Sequence, residues 1–205
     1  MSAGVIRLDT EHILRPVRLG DGAALSRAYL ANREHLAPWE PSRTEAFFTV
    51  ASQEQHAQQC VDDASAGRSV RFVIASDDGE IRGRMNINNI VRGAFWSADL
   101  GYWVDVSRLR RGLAHRAVAQ IIEYSRTELG LHRLQAATLV HNLGSQSVLR
   151  GNGFERIGMA PKYLRIRGGV AGPPALPAAA GGTAQRSAGR SLIMLVMRIV
   201  EQRRP

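Results

Sequence analysis

Arg110-Arg111-Gly112-Leu113-Ala114-His115-Arg116-Ala117-Val118 is the stretch that decides how this chain reads. Before it runs an alternating, strand-like segment, Ala98-Asp99-Leu100-Gly101-Tyr102-Trp103-Val104, and after it an amphipathic segment reaching Leu129. A basic turn of small residues that opens a helix leaves backbone N–H groups without acceptors, at the positive end of the helix dipole. Such a turn suits a pyrophosphate. It carries neither the G-x-G-x-x-G of a dinucleotide fold nor the G-x-x-x-x-G-K-[ST] of a P-loop.

Outward from that turn the chain alternates strands and helices. Residues 12–19 alternate like an edge strand, where Pro16 is tolerated. Asp21 is placed to cap a helix over Ala23–Glu34, and 45–67 reads as a second helical region with Ser52 and Gln55 as a capping box. Three strands follow at 70–75, 81–90 and 95–104, joined by turns at Asp77-Asp78-Gly79 and Arg92-Gly93. The helix from Gly112 keeps Leu113, Ala117, Ile121, Ile122 and Leu129 on one face, and Gly130 ends it. Leu134–Val140 is a strand and Asn142–Gly151 a short helix. Residues 154–157 with 163–166 form a last strand region. The order β-α-α-β-β-β-α-β-α-β describes a mixed α/β sandwich and not a doubly wound sheet.

Composition narrows the class. A chain of 205 residues, 44% hydrophobic and 22% charged, fits one soluble domain with a sizeable core. No window reaches the roughly 18–20 apolar residues of a membrane span, and no export signal opens the chain, so a cytoplasmic protein without membrane contact is expected. The single cysteine, Cys60, excludes an internal disulfide and fits a reducing compartment. His115, His141 and Cys60 have no metal-ligand spacing, so no metal is expected. Residues 179–205 hold five Arg and one Glu, hence +4 of the net +9, and the rest is spread without a basic stripe interleaved with aromatics. Specific nucleic-acid binding is therefore not expected. Monomer and homodimer both remain open.

Two further segments carry a resemblance. Asn142-Leu143-Gly144-Ser145-Gln146-Ser147-Val148-Leu149-Arg150-Gly151-Asn152-Gly153-Phe154 matches N-x-x-S-x-x-V-L-x-x-x-G-F, and Asn32-Arg33-Glu34-His35-Leu36-Ala37-Pro38-Trp39-Glu40-Pro41 matches N-R-x-x-L-x-P-W-x-P. With Gly112 and Ala114 fitting Q/R-x-x-G-x-G/A, although Leu109 stands at its first position, the chain from about 12 to 168 resembles the GNAT acetyltransferases. Within them it is similar to the enzymes that acetylate the N-terminal alanine or serine of ribosomal proteins. The resemblance implies the α/β GNAT fold, a mixed, mostly antiparallel central sheet flanked by helices, and transfer of acetyl from acetyl-CoA to a primary amine, with a protein N-terminus as acceptor. Small-molecule amine acetylation (an antibiotic or a polyamine) is the alternative, as is a catalytically impaired acyl-CoA-binding module.

The resemblance also implies roles. A bulge in the strand before the turn would part it from the next strand, and the pantetheine arm would lie in the gap on backbone groups of Trp103 and Val104. The N–H groups from Arg111 through Gly112, Leu113 and Ala114 to His115 would hold the pyrophosphate, with Arg110 and Arg111 adding charge-assisted contacts. Asp99, where many relatives carry Glu, would be the base, and Ser145 would steady the departing thiolate, since Leu149 replaces the tyrosine that many relatives use as acid. Asn142 would cap the short helix and touch the arm. His35 and Trp39 would shape the acceptor pocket.

After Arg167 the likeness stops. Relatives continue with something like W-x-D-H-x-L-F, whereas this chain reads Gly168-Gly169-Val170-Ala171-Gly172-Pro173-Pro174. Codons for Gly169 to Ala178 can be chosen that, read one base later, restore that motif, so a frameshift near 168 is the hypothesis for the departure. The expectation is a GNAT domain over 1–167 and an aberrant tail over 168–205. Residues 168–190 should be disordered. The apolar run 191–200 is then available for the vacant sheet edge.

Overall fold

A computed structural model describes residues 4–161 and 193–200. Eight strands form one sheet in the order β1-β2-β3-β4-β5-β6-β8-β7. They are β1 (Ile6–Arg7), β2 (His12–Pro16), β3 (Val70–Ser76), β4 (Ile81–Val91), β5 (Ser97–Val104), β6 (Arg133–Leu139), β7 (Glu155–Pro161) and β8 (Ile193–Val200). All neighbours run antiparallel except β5 and β6. Among the described residues five α-helices flank the sheet, α1 (Gly22–Ala31), α2 (Arg33–Leu36), α3 (Val50–Ser65), α4 (Leu113–Thr127) and α5 (Leu143–Gly151), with short 3-10 turns at Glu45–Phe48 and Val106–Arg108.

Alternation along the strands divides the core into two layers. Leu14, Phe72, Ile74, Met85, Ile87, Leu100 and Val104 meet Leu113, Ala117, Val118 and Ile121 of α4 on one face. Val17, Val73, Ile81 and Trp103 meet Leu25, Ala28 and Tyr29 of α1 and Ala57 and Cys60 of α3 on the other. Each fully buried Leu or Ile here is worth roughly 1.5–3 kcal/mol.

Several local expectations change. The strand expected over 12–19, now β2, is not an edge, because β1 pairs with Ile13 and Leu14; Pro16 lies beyond that pairing, where its missing N–H costs nothing on that side. Asp21 stands at the N-cap of α1 without a side-chain cap bond, because its carboxylate instead receives Arg15 Nη1 and Nη2, both at 2.8 Å. The Ser52–Gln55 box gives way to Thr49, whose hydroxyl accepts from the Ser52 N–H at 3.3 Å. The run 193–200 is no edge strand: β8 lies between β6 and β7 and bonds to both. Paired on both sides, it satisfies its backbone better than any edge position would. The strand expected at 163–166, the tail over 168–190 and the frameshift near 168 lie outside the described residues.

Candidate active site

β5 and β6 pair only over Ser97↔Arg133, Ala98↔Leu134, Asp99↔Gln135 and Leu100↔Ala136. Beyond that point β5 stays with β4 as far as Val104, while β6 stays with β8 as far as Leu139. The two strands part because each keeps a different partner, and a wedge opens above Leu100. The expected bulge in β5 is absent over 99–104, where each residue faces one residue of β4. The register shift lies in β4 instead, between Asn88 and Val91. It re-aims a side chain: Asn89, at φ 51°, turns its amide onto Asp99.

The Asp105 N–H donates to the Arg82 carbonyl at 2.8 Å. Alternation of backbone groups along β5 then turns those of Trp103 toward β4 and those of Tyr102 and Val104 into the wedge. Val104 thus turns backbone groups into the wedge, whereas Trp103 turns them to β4 and its indole is buried core, Nε1 donating to Tyr29 Oη at 3.4 Å.

At the wide end of the wedge the chain turns into α4. Arg110 at φ 59° and Gly112 at φ 73° both adopt the left-handed conformation, which glycine takes without strain and arginine does not. Gly112 is the N-cap, and the first helical bond runs from the Arg116 N–H to the Gly112 carbonyl at 3.0 Å. The N–H groups of Leu113, Ala114 and His115 consequently lack intrahelical acceptors. Arg110 and Arg111 are exposed, and among the described residues neither has an ion pair. Leu113 anchors the turn from beneath at 2% exposure. His115 Nδ1 lies 3.0 Å from Asn152 Nδ2, tying the turn to the end of α5.

Arg116 braces the same turn, donating to the Arg111 carbonyl at 3.2 Å and to Asp9 Oδ2 at 2.6 Å. Against the cost of burial, bonds from the Glu11 N–H, His12 and Arg116 lower the Asp9 carboxyl to about 2.

The narrow end gathers the polar chemistry. Asp99 Oδ2 receives Asn89 Nδ2 at 2.7 Å and Oδ1 receives Gln135 Nε2 at 2.6 Å. Gly101, beside it on the same face, leaves an open floor: a Cβ there would meet only Asn88 Nδ2, at 3.9 Å. On the other wall, Asn142 caps α5 by accepting the Ser145 N–H at 3.1 Å. Ser145 Oγ lies 3.0 Å from Tyr102 Oη, which also donates to the Ser145 carbonyl at 3.2 Å. Burial, against the hydrogen bond with Ser145, pushes the Tyr102 phenol up to about 12, so it keeps its proton. Leu149 is fully buried.

Trp39 stacks at 5.5 Å from the His141 ring, next to Asn142, and so does reach the α5 side of the site. His35 is half-buried on α2. Asn32, the first residue of its motif, supports the frame: 1% exposed, it donates to Asp105 Oδ2 at 3.2 Å and accepts the Val106 N–H at 2.8 Å. Sequence reasoning missed Tyr102, Asn89 and Gln135. Position 102 sits on the apolar phase of β5 and reads as core, and Gln135 is recognisable only once β6 is known to pair with β5.

Comparison with known proteins agrees with this geometry. The family described as acetyltransferase (GNAT) domain matches residues 12–155. The [ribosomal protein uS5]-alanine N-acetyltransferase of Escherichia coli is 32% identical over 165 residues, spanning 80% of this chain and 85% of that protein. A probable N-acetyltransferase of Bacillus subtilis, YjcK, is 28% identical over 156 residues, 76% of this chain and 86% of its own length. Among solved structures, the ribosomal-protein-S5-alanine acetyltransferase of Vibrio fischeri superposes with TM-score 0.83 at 27% identity, covering 97% of each chain. RimJ of Mycobacterium smegmatis in complex with CoA-disulfide gives 0.78 at 32% identity, over 96% of this chain and 86% of that one.

Proposed function

The chain belongs to the GNAT family and is an acetyl-CoA-dependent N-acetyltransferase, and on that premise we propose that it acetylates a protein N-terminus beginning with alanine or serine, a ribosomal protein foremost. The observation that carries this reading is the wedge between β5 and β6, which runs from the unpaired N–H groups of α4 to Asp99 and the Tyr102–Ser145 pair. The uS5-specific enzyme's 32% identity supports the choice of acceptor.

In this reading the N–H groups from Arg111 to His115 hold the pyrophosphate of acetyl-CoA, with Arg110 and Arg111 closing over it. Backbone groups of Tyr102 and Val104 take the pantetheine arm as a missing strand would, and Asn142 borders it. The acceptor amine arrives past Trp39 and His35 over the floor at Gly101 and attacks the thioester carbonyl. Asp99, fixed by two amide donors, keeps lone pairs for the amine's proton, directly or through water. The thiolate leaves toward Ser145, whose hydroxyl the protonated Tyr102 orients, and it takes its proton from solvent.

Two measurements test the reading. Acetyl-CoA at about 100 times its dissociation constant should stabilise the chain by roughly 2.7 kcal/mol in thermal unfolding. Mass spectrometry should then find acetyl on peptides with N-terminal alanine or serine. Acetylation of a polyamine but of neither peptide would overturn the proposed acceptor.

A further inference from the structure

Beneath α1 and α3 the sheet holds a charge that acetyl transfer does not use. Arg84 is 3% exposed, yet its guanidinium reaches only Tyr29 Oη at 3.1 Å and Cys60 Sγ at 3.7 Å. Its Nε has no acceptor, and among the described residues no carboxylate forms an ion pair with it. Burying a cation without a counter-charge is strongly unfavourable.

Arg84 lines a cavity of about 350 Å³ together with Gln53, Asn86 and Asn88. Two buried acceptors there also lack partners, Gln53 Oε1 and Asn86 Oδ1. The other cations of the cavity are matched: Arg71 with Asp63 at 2.9 Å and Arg43 with Glu40 at 3.7 Å. His56 adds no charge near neutrality, because burial and then Arg84, Arg71 and Arg43 lower it to about 4. Glu40 also lines the cavity and its charge is felt by Arg84, but Arg43, Arg71 and Arg84 outnumber Glu40 and Asp63, so one positive charge is left over. Asn88 pairs in register with Asp99, so the cavity adjoins the site from the side on which the acceptor approaches.

We propose that this cavity seats a carboxylate of the acceptor, so that the substrates are primary amines bearing a carboxylate, with the acid on Arg84 and N–H donors of the same molecule on Gln53 and Asn86. An acidic side chain near a peptide's N-terminus supplies both, as does the α-carboxylate of a free amino acid. The assignment rests on the acetyl-transfer reading for its purpose but is tested by binding alone.

The tripeptide amides Ala-Glu-Ala and Ala-Gln-Ala, and free glutamate, are titrated calorimetrically into the full chain saturated with CoA. The Glu peptide should bind about tenfold tighter than the Gln peptide. Arg84→Met should bring the two to equal affinity, with stabilisation by CoA reporting that the variant is folded. Asn86→Leu is the second variant, expected to weaken the Glu peptide several-fold. Glutamate binding as tightly as the Glu peptide supports a free amino acid as the source; much weaker glutamate supports a peptide side chain. Equal affinities in the native chain, a preference that survives Arg84→Met, or unaltered binding by Asn86→Leu would each overturn the assignment. Equal turnover of both peptides without a binding difference removes this inference and leaves acetyl transfer standing. A binding preference without turnover does the reverse.

Discussion

The two faces of β5 differ in what they are free to do. On one, Ala98, Leu100 and Val104 are closed under α4, and nothing polar interrupts them except Tyr102. On the other, Trp103 is packed, but Gly101 is bare and Asp99 is held by amides alone. One strand thus fixes the position of the wedge with its dry face and, in the proposed function, offers the base from the other. The packed face and the face that carries Asp99 are separated by a single residue step.

Substitutions on the two faces should therefore fail differently. Asp99→Asn should lower kcat/KM by about 10²–10⁴ while the melting temperature hardly moves, since the remaining oxygen still accepts from Gln135 and Asn89 can turn its amide oxygen toward the new NH₂. A large drop in melting temperature would show Asp99 to be framework. Leu100→Ala, one residue away, should do the opposite and cost about 2–5 kcal/mol of stability in denaturant unfolding. Tyr102 is the exception on the dry face, its phenol meeting Ser145 of α5 on the α4 side. Tyr102→Phe should lower kcat about 10- to 100-fold at constant KM for acetyl-CoA, because the phenyl ring still fills its place. With the phenol at about 12, Tyr102 imposes no falling alkaline limb on kcat below pH 10.

The smallest effect concerns the brace behind the turn. Asp9→Asn should cost about 1–2 kcal/mol by removing the charge that Arg116 and His12 meet. Because the folded carboxyl is depressed, from 3.8 to about 2, its contribution is complete above the unfolded value and disappears as pH falls through about 2. The gap between native chain and Asp9→Asn in thermal unfolding should accordingly stay constant from pH 7 to 5 and narrow below 4.

How far this was legible in the sequence follows from how local each feature is. α4 and its turn are encoded within twenty residues, by Gly112 and the spacing of Leu113, Ala117 and Ile121, and they form as read. Asn142 likewise caps its own helix. The partners of Asp99 come from β4 and β6, one of them through a register shift, and no local pattern announces them. Tyr102 is hidden by its phase, and Arg84 by a strand whose neighbours Met85 and Ile87 look like ordinary core. Asn32 and Trp39 were found through a motif, but only the fold separates the support of the first from the stacking of the second.

The placement of β8 between β6 and β7 has a kinetic consequence. Until β8 arrives, β7 has no partner in the sheet, and β6 exposes a full row of amide and carbonyl groups along one side. The last ladder to form is thus an insertion into a slot, joining strands that the preceding chain leaves apart. Such long-range closure slows folding and prolongs exposure of open strand edges, where chains of the same kind associate. Yield on refolding should consequently fall with protein concentration more steeply than native stability would suggest.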